Sequence, residues 1–180
     1  RSIEEDKLAR PYMESSNQVI GSPAAWAEGF DGNGWAVAIL DTGVDKTHPY
    51  FTTGGNKVVS EACYNRDVDG VVEPVCPGGV TASTAVGSGV HCTGVSGCDH
   101  GTHVAGTVAG HNGSGPNFGV ARGADIIAMQ VFSKFLTEDD CGVGEAPCVL
   151  SSGSDQIAAL ERLLVLSATM DIAAANMSLG

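Results

Sequence analysis

The chain has 180 residues, of which 43% are hydrophobic and 17% are charged, and it contains 25 glycines. This length and composition predict one compact, turn-rich domain with a buried core. The formal net charge of -12 at pH 7 repels phosphate groups, so neither nucleic acid nor an anionic membrane is expected as a partner. No apolar run approaches the roughly 20 residues that a membrane-spanning helix needs.

The first predicted elements are a short helix and a buried strand. Ser22 and Pro23 predict a helix start, because a serine can cap the first turn and a proline has no amide hydrogen to leave unpaired. Residues 35–40 (WAVAIL) form an apolar run typical of a strand that is covered on both faces. Residues 57–64 predict a second strand. Residues 65–99 are rich in glycine, proline and cysteine, which predicts an ordered, disulfide-tied surface loop.

Strands and helices continue to alternate in the second half of the chain. Residues 100–110 are compatible with a helix, 125–132 predict a buried strand, and 134–151 form a second polar insertion. A helix over 156–167 and a strand over 171–179 follow. The apolar face of that helix is predicted to contain Ile157, Leu160, Leu163 and Leu164. This alternation predicts an α/β fold with a mainly parallel sheet flanked by helices.

The six cysteines lie in glycine- and proline-rich stretches, which favours disulfides and therefore a secreted or extracellular protein. Cys141 and Cys148 flank a short loop, 142–147, and are predicted to pair with each other. The other four cysteines allow three pairings, and spacing favours the sequence-local one. That arrangement joins Cys63 to Cys76 and Cys92 to Cys98.

A candidate functional carboxylate stands at the end of the first strand. Asp41 follows the apolar run, and Thr42 and Gly43 then turn the chain. Functional groups of open α/β sheets gather beyond the carboxyl ends of the strands. An aspartate that only caps a turn explains an isolated D-T-G at least as well. Asp41 alone therefore does not identify a site.

The segment 99–110 (DHGTHVAGTVAG) is more specific. His100 and His103 are three residues apart and share one face of the predicted helix, whose small residues allow close packing. A general base at a helix start would be accessible on one side and supported on the other. Two histidines buried in the core would also fit, as would a metal site that adds Cys92 or Cys98.

Four segments taken in order resemble the N-terminal half of the subtilisin-like serine proteases, the subtilases, over about residues 22–180. They are AVAILDTGVDKTHP, HGTHVAGTVAG, GVARGADIIAMQVF and ANMSLG. The resemblance implies a three-layer subtilisin-like α/β fold, incomplete in this chain. It also implies a secreted serine endopeptidase with an Asp-His-Ser triad, in which Asp41 supports the imidazole and His100 is the general base and later the general acid. His103 would be structural.

The same resemblance suggests how protein or peptide substrates bind. Ser178, Leu179 and Gly180 match the strand whose backbone pairs with the extended substrate chain. Ser152 and Gly153 would form the opposing edge. No cofactor is expected for catalysis.

Parts of the family pattern are missing or altered. The G-T-S-M-A segment with the nucleophilic serine does not occur, so the serine is expected outside this chain and the chain alone is expected to be inactive. Residues 1–10 (RSIEEDKLAR) resemble the end of a propeptide, which would act as intramolecular inhibitor and chaperone of this zymogen. Residues 11–180 would then be the N-terminal part of the catalytic domain, with insertions near 65–99 and 134–151.

Subtilases often bind calcium in the loop that corresponds to residues 111–118 (HNGSGPNF). This loop offers Asn112, Ser114 and Asn117, but Tyr50 stands where several relatives supply an acidic ligand. Calcium prefers several oxygen ligands that include carboxylates. The resemblance therefore suggests a structural calcium ion in this loop, but the loop supplies an incomplete set of ligands.

Three other classes of function remain open at this point. Aspartic proteases also use D-T-G, but they need two such carboxylates, and that assignment leaves HGTHVAG unexplained. A pseudoprotease without a serine would be non-catalytic. A structural zinc module would use the cysteines and histidines, and it would be excluded if the cysteines form disulfides, because zinc binds thiolates.

Overall fold

The computed structural model describes residues 13–113 and 117–179. The proposed propeptide end at 1–10, Ser114 and Gly180 lie outside the described residues. No helix among those described is long and apolar enough to cross a membrane.

The described chain alternates helices and strands. The helices are α1 (Met13–Ile20), α2 (Ser22–Ala27), α3 (Pro49–Thr52), α4 (His100–Ala109), α5 (Glu138–Cys141) and α6 (Gly153–Leu166). The strands are β1 (Ala36–Asp41), β2 (Val58–Tyr64), β3 (Val72–Glu73), β4 (Ala82–Ser83), β5 (Asp125–Gln130), β6 (Phe132–Phe135), β7 (Cys148–Ser151) and β8 (Ile172–Asn176).

The main sheet has the strand order β4-β2-β5-β1-β8. Strands β2, β5, β1 and β8 run parallel, and the short β4 pairs antiparallel with β2. All six residues of β1 are buried, as its continuous apolar run predicts for a strand covered on both faces. The predicted α/β fold with a mainly parallel sheet is therefore confirmed.

Alternate residues of β1 enter two different cores. Val37 and Ile39 pack on the side of α4, together with Ala105 and Ala109 of that helix. Leu40 and its alternate neighbours pack on the other side, against α6. The protein thus has three layers, with α4 and α6 on opposite faces of the sheet.

The two predicted insertions contain more regular structure than expected. Strands β3, β6 and β7 form a second, antiparallel sheet, so the segment 134–151 is a hairpin around α5. The predicted strand 125–132 ends at Gln130, and the chain then enters the second sheet. Burial alternates along residues 132–135, as expected for a strand with one covered face. Four alternating residues are too few to predict a strand from the sequence.

All three predicted disulfides are present. Cys63 pairs with Cys76, Cys92 with Cys98, and Cys141 with Cys148. The first bridge ties the segment 65–75 to the end of β2, and the third closes the tip of the β6–β7 hairpin.

Two predictions about helices were wrong. Of the four residues assigned to the apolar face of α6, Leu163 is buried as predicted, whereas Ile157, Leu160 and Leu164 are 58%, 40% and 76% exposed. The other buried residues of this helix are Asp155 and Ala159. The buried residues are four apart and therefore share one face of the helix, and Ile157 and Leu164 lie outside that face. Gly21 occupies the N-cap of α2, and no side-chain cap bond is present.

A buried asparagine connects the two sheets. Asn65 Nδ2 donates to Gln130 Oε1 at 2.7 Å and to the Phe132 carbonyl at 3.0 Å. Asn65 Oδ1 accepts from the amides of Val75 at 2.7 Å and Cys76 at 3.0 Å. The Asn65 side chain therefore bonds to the ends of β5 and β6, where the chain passes from the main sheet to the second sheet, and to the segment that follows β3.

We expect Asn65→Ala to lower the free energy of unfolding by about 2–4 kcal/mol, because the amides of Val75 and Cys76 lose their acceptor. The exposed Asn56, which bonds only to Val58 two residues away, is the control. Asn56→Ala is expected to cost less than about 1 kcal/mol. Urea unfolding measures both, and equal losses would contradict the role given to Asn65.

Candidate active site

The site forms where β1 ends and α4 begins. The alternation that places Val37 and Ile39 on the α4 side of the sheet places Asp41 there too. Asp41 is fully buried, and its Oδ1 accepts a hydrogen bond from the Thr42 amide at 2.7 Å. The strand thus delivers a carboxylate to the first turn of the helix.

His100, the first residue of α4, meets this carboxylate directly. Its Nδ1 lies 2.8 Å from Asp41 Oδ1 and 3.0 Å from Asp41 Oδ2. An ionised carboxylate only accepts hydrogen bonds, so this contact assigns the proton of a neutral imidazole to Nδ1. Nε2 is then the proton acceptor. The histidine side chain is 50% exposed while that of Asp41 is 0% exposed, so this geometry suits a general base with a buried support.

Two glycines allow β1 and α4 to approach this closely. A Cβ at Gly101 would overlap the Gly43 carbonyl oxygen and would lie 3.0 Å from Asp41 Cβ. A Cβ at Gly43, where φ is +91°, would overlap the Val90 carbonyl. Both neighbours are backbone atoms that cannot rotate away, so glycine is required at both positions.

The structure contradicts the zinc alternative. Cys92 and Cys98 are bonded to each other, and the other four cysteines are also in disulfides. A zinc site built on these cysteines would need their free thiolates. Among the described residues, no three histidine, cysteine or acidic side chains are grouped so that they could hold a metal ion.

Comparison with known proteins identifies the family. A profile of the Subtilase family matches residues 32–180. The chain belongs to the subtilase family. It is 35% identical over 130 residues to the minor extracellular protease Vpr of Bacillus subtilis (strain 168), covering 72% of this chain and 14% of Vpr. It is 29% identical over 154 residues to subtilisin E of the same organism, covering 83% of this chain and 31% of subtilisin E.

A solved structure supports the subtilase fold. The CspB protease of Clostridium perfringens matches with a TM-score of 0.61 and 21% sequence identity, over 92% of this chain and 33% of that protein. This subtilase chain therefore spans a third or less of the length of these relatives.

The second histidine of the subtilase motif does not pack inward as predicted. His103 is exposed, and it lines a cavity of about 590 Å³ together with Asp45, His48 and His91. Its side chain opens onto this cavity, whereas that of His100 contacts Asp41. The expectation that His103 is a packed structural residue is therefore wrong in this chain.

The residues proposed to bind substrate lie at two strand ends. Ser178 follows β8, which pairs with β1, and its hydroxyl donates to Asn176 Oδ1 at 2.9 Å. Leu179 is half-buried, and Gly180 lies outside the described residues. Ser152 and Gly153 follow β7 at the start of α6, where no neighbour approaches the Gly153 Cβ position within 4 Å.

Burial raises the pKa of a carboxyl group close to Ser152 and Gly153. Asp155, in the first turn of α6, has a pKa above its ordinary value because it is desolvated, and the Ser152 hydroxyl and Arg66 partly offset this effect. Ser151 Oγ accepts a hydrogen bond from Gln156 Nε2 at 3.1 Å. Ser151 is the last residue of β7 and Ser152 has an extended backbone (φ -92°, ψ 144°), so neither stands on a strained turn of the kind that exposes a nucleophile.

Thr42 was not among the candidate residues predicted from the sequence. Its hydroxyl bonds to the loop and helix that carry His100. The only sequence signal for this role is the position of a hydroxyl residue between Asp41 and Gly43.

Proposed function

We propose that this subtilase chain supplies the aspartate and the histidine of an Asp-His-Ser triad in a secreted serine endopeptidase. The observation that carries the proposal is the contact of His100 Nδ1 with both oxygens of the buried Asp41. The nucleophilic serine would come from sequence outside these 180 residues. On its own, the chain would then have no measurable protease activity, because it lacks the hydroxyl that attacks the substrate.

The proton follows a defined route in this proposal. His100 Nε2 takes the proton of the serine hydroxyl as the serine oxygen attacks the carbonyl carbon of the peptide. Asp41 stabilises the imidazolium through the Nδ1 hydrogen bond without taking the proton itself. Nε2 then protonates the leaving amine, which breaks the C–N bond. A water molecule, deprotonated by the same Nε2, hydrolyses the acyl-enzyme and restores the serine.

Protein or peptide chains are the proposed substrates. Ser178, Leu179 and Gly180 on one side, and Ser152 and Gly153 on the other, would pair with an extended substrate backbone. In support of this role, residues 177–179 lie beyond the end of β8 and belong to no strand of the described part of the chain.

Secretion and activation are part of the same proposal. Three disulfides are typical of oxidising compartments, and the name of the relative Vpr describes an extracellular protease. Residues 1–10 would be the end of a propeptide that assists folding and blocks the site until it is cleaved.

Calcium has no step in this mechanism. The loop 111–118 contains Asn112 and Asn117 but no carboxylate, and this is a poor donor set for a hard cation. A structural calcium ion there stays a prediction.

Inhibition of the full-length protein tests the reaction class. We expect hydrolysis of an unfolded protein substrate at neutral pH that a fluorophosphonate abolishes and that a pepstatin-type inhibitor leaves unchanged. Inhibition by pepstatin would favour the aspartic protease. A folded, processed protein without activity would be a pseudoprotease.

A further inference from the structure

Thr42 joins three backbone segments at the candidate active site. Its Oγ1 donates to the Cys98 carbonyl at 3.0 Å and accepts from the Gly101 amide at 2.9 Å. Its own carbonyl accepts from the Cys92 amide at 3.0 Å. Thr42 is 2% exposed, so these bonds are shielded from water. The residue that follows Asp41 thus holds both ends of the loop that leads to His100.

A disulfide closes that loop. Cys92 and Cys98 are bonded to each other across residues 93–97, and they are 3% and 6% exposed. Only Asp99 separates Cys98 from His100. Movement of Cys98 away from Thr42 would therefore move the start of α4.

The first turn of α4 has no capping side chain of its own. Asp99 occupies the N-cap but makes no side-chain cap bond. The first amides of a helix lack partners within the helix and must find them elsewhere. The Gly101 amide finds its partner in Thr42, which lies on a different element. The helix start is thus fixed to the end of β1.

We propose that Thr42 and the Cys92–Cys98 disulfide together position the His100 ring for proton transfer. We call this group, with Gly101, the Thr42 clamp. The inference rests on the proposed function, because it concerns the base of that reaction. Thr42 and the disulfide do not touch the reacting atoms in this proposal. They act by limiting the motion of a ring that is half exposed and, among the described residues, is held on only one of its two nitrogens.

Loss of the Thr42 clamp is expected to lower kcat and to leave substrate binding, and therefore KM, almost unchanged. Effective proton transfer requires Nε2 to lie within hydrogen-bond reach of the serine hydroxyl, and a displacement of about 1 Å can cost about a hundredfold in rate. The residues proposed to bind substrate belong to other elements. A merely structural role would instead lower stability and leave kcat of the folded enzyme unchanged.

Substitution of Thr42 in the full-length protein tests the hydroxyl. Thr42→Val keeps the shape and removes both hydroxyl bonds, and we expect kcat to fall about tenfold to a hundredfold with little change in KM. Thr42→Ser should restore most of kcat. The control is Ser133→Ala, which removes another fully buried hydroxyl that accepts a backbone amide, that of Arg66. It should lower stability and leave kcat unchanged.

Removal of single disulfides gives an independent test in case Thr42→Val does not fold. Cys92→Ala combined with Cys98→Ala should lower kcat, whereas Cys141→Ala combined with Cys148→Ala should not. Unchanged kcat in both Thr42→Val and the Cys92 and Cys98 double variant would overturn the clamp. Equal kcat losses in the clamp variants and their controls would overturn it too.

A spectroscopic readout separates failure of the clamp from failure of the proposed function. The Nδ1 proton of His100, held by a carboxylate, should give a downfield proton resonance in the full-length protein. Thr42→Val should broaden or shift this signal, and Ser133→Ala should not. An inactive parent protein that still shows this pattern would contradict the proposed function and keep the clamp. An active parent whose signal and kcat are both insensitive to Thr42→Val would contradict the clamp alone.

Discussion

Alanine in place of His100 is expected to lower kcat for peptide hydrolysis by at least about four orders of magnitude in the full-length protein. The substitution removes the only nitrogen base that contacts Asp41 among the described residues. Little stability should be lost, because the side chain is 50% exposed. Hydrolysis of a fluorogenic peptide measures the rate, and urea unfolding measures the stability.

His103→Ala is the matched control, since it removes a second imidazole from the same helix. Its side chain is exposed and faces the cavity of about 590 Å³, not Asp41. We therefore expect an unchanged kcat and a change of at most about 0.5 kcal/mol in the free energy of unfolding. Equal losses of activity in both variants would show that His100 has no special role. Loss of folding in His103→Ala would restore the structural role first predicted for that histidine.

Gly101→Ala should be among the most damaging single changes to the fold of this chain. The new Cβ would overlap the Gly43 carbonyl oxygen and press on Asp41, so α4 must separate from β1. We expect a loss of more than about 3 kcal/mol in the free energy of unfolding, and a loss of activity in any protein that still folds. Thermal unfolding and the peptide assay measure the two effects.

Gly106→Ala provides the comparison in the same helix. No atom of the described neighbouring residues lies within 4 Å of its Cβ position, so the alanine meets no clash with them. Alanine is a better helix former than glycine, so the free energy of unfolding of this variant should rise by about 0.5–1 kcal/mol. A Gly101→Ala protein as stable as Gly106→Ala would mean that β1 and α4 are not packed as described.

Long, uniform patterns in the sequence predicted the fold well. The apolar run of β1 favours burial on both faces, and the segment 100–110 is compatible with a helix, so both elements were predicted close to their observed bounds. The buried face of α6 was predicted only at Leu163, because the other apolar residues assigned to it lie outside the face that contains residues 155, 159 and 163. Packing selected the side with Asp155 and Ala159.

The candidate site was only partly predictable for a similar reason. Asp41 and His100 are marked by the motifs around them. The distance between them depends on Gly43, Gly101 and Thr42, whose contacts join segments about 60 residues apart in the chain, as the separation of 59 between Thr42 and Gly101 shows. No local pattern encodes such a contact. The polar insertions were also harder to predict, because their strands are only two to four residues long.

Mapping the site of fluorophosphonate modification tests the central proposal most directly. The full-length protein and its His100→Ala variant would be labelled in the folded state, digested and analysed by mass spectrometry. We expect one modified serine, outside residues 1–180, and at most a trace of modification in His100→Ala, because that serine needs Nε2 to accept its proton. A modified serine within residues 1–180, or equal labelling of the two proteins, would contradict the proposal that Asp41 and His100 serve a serine from another part of the protein.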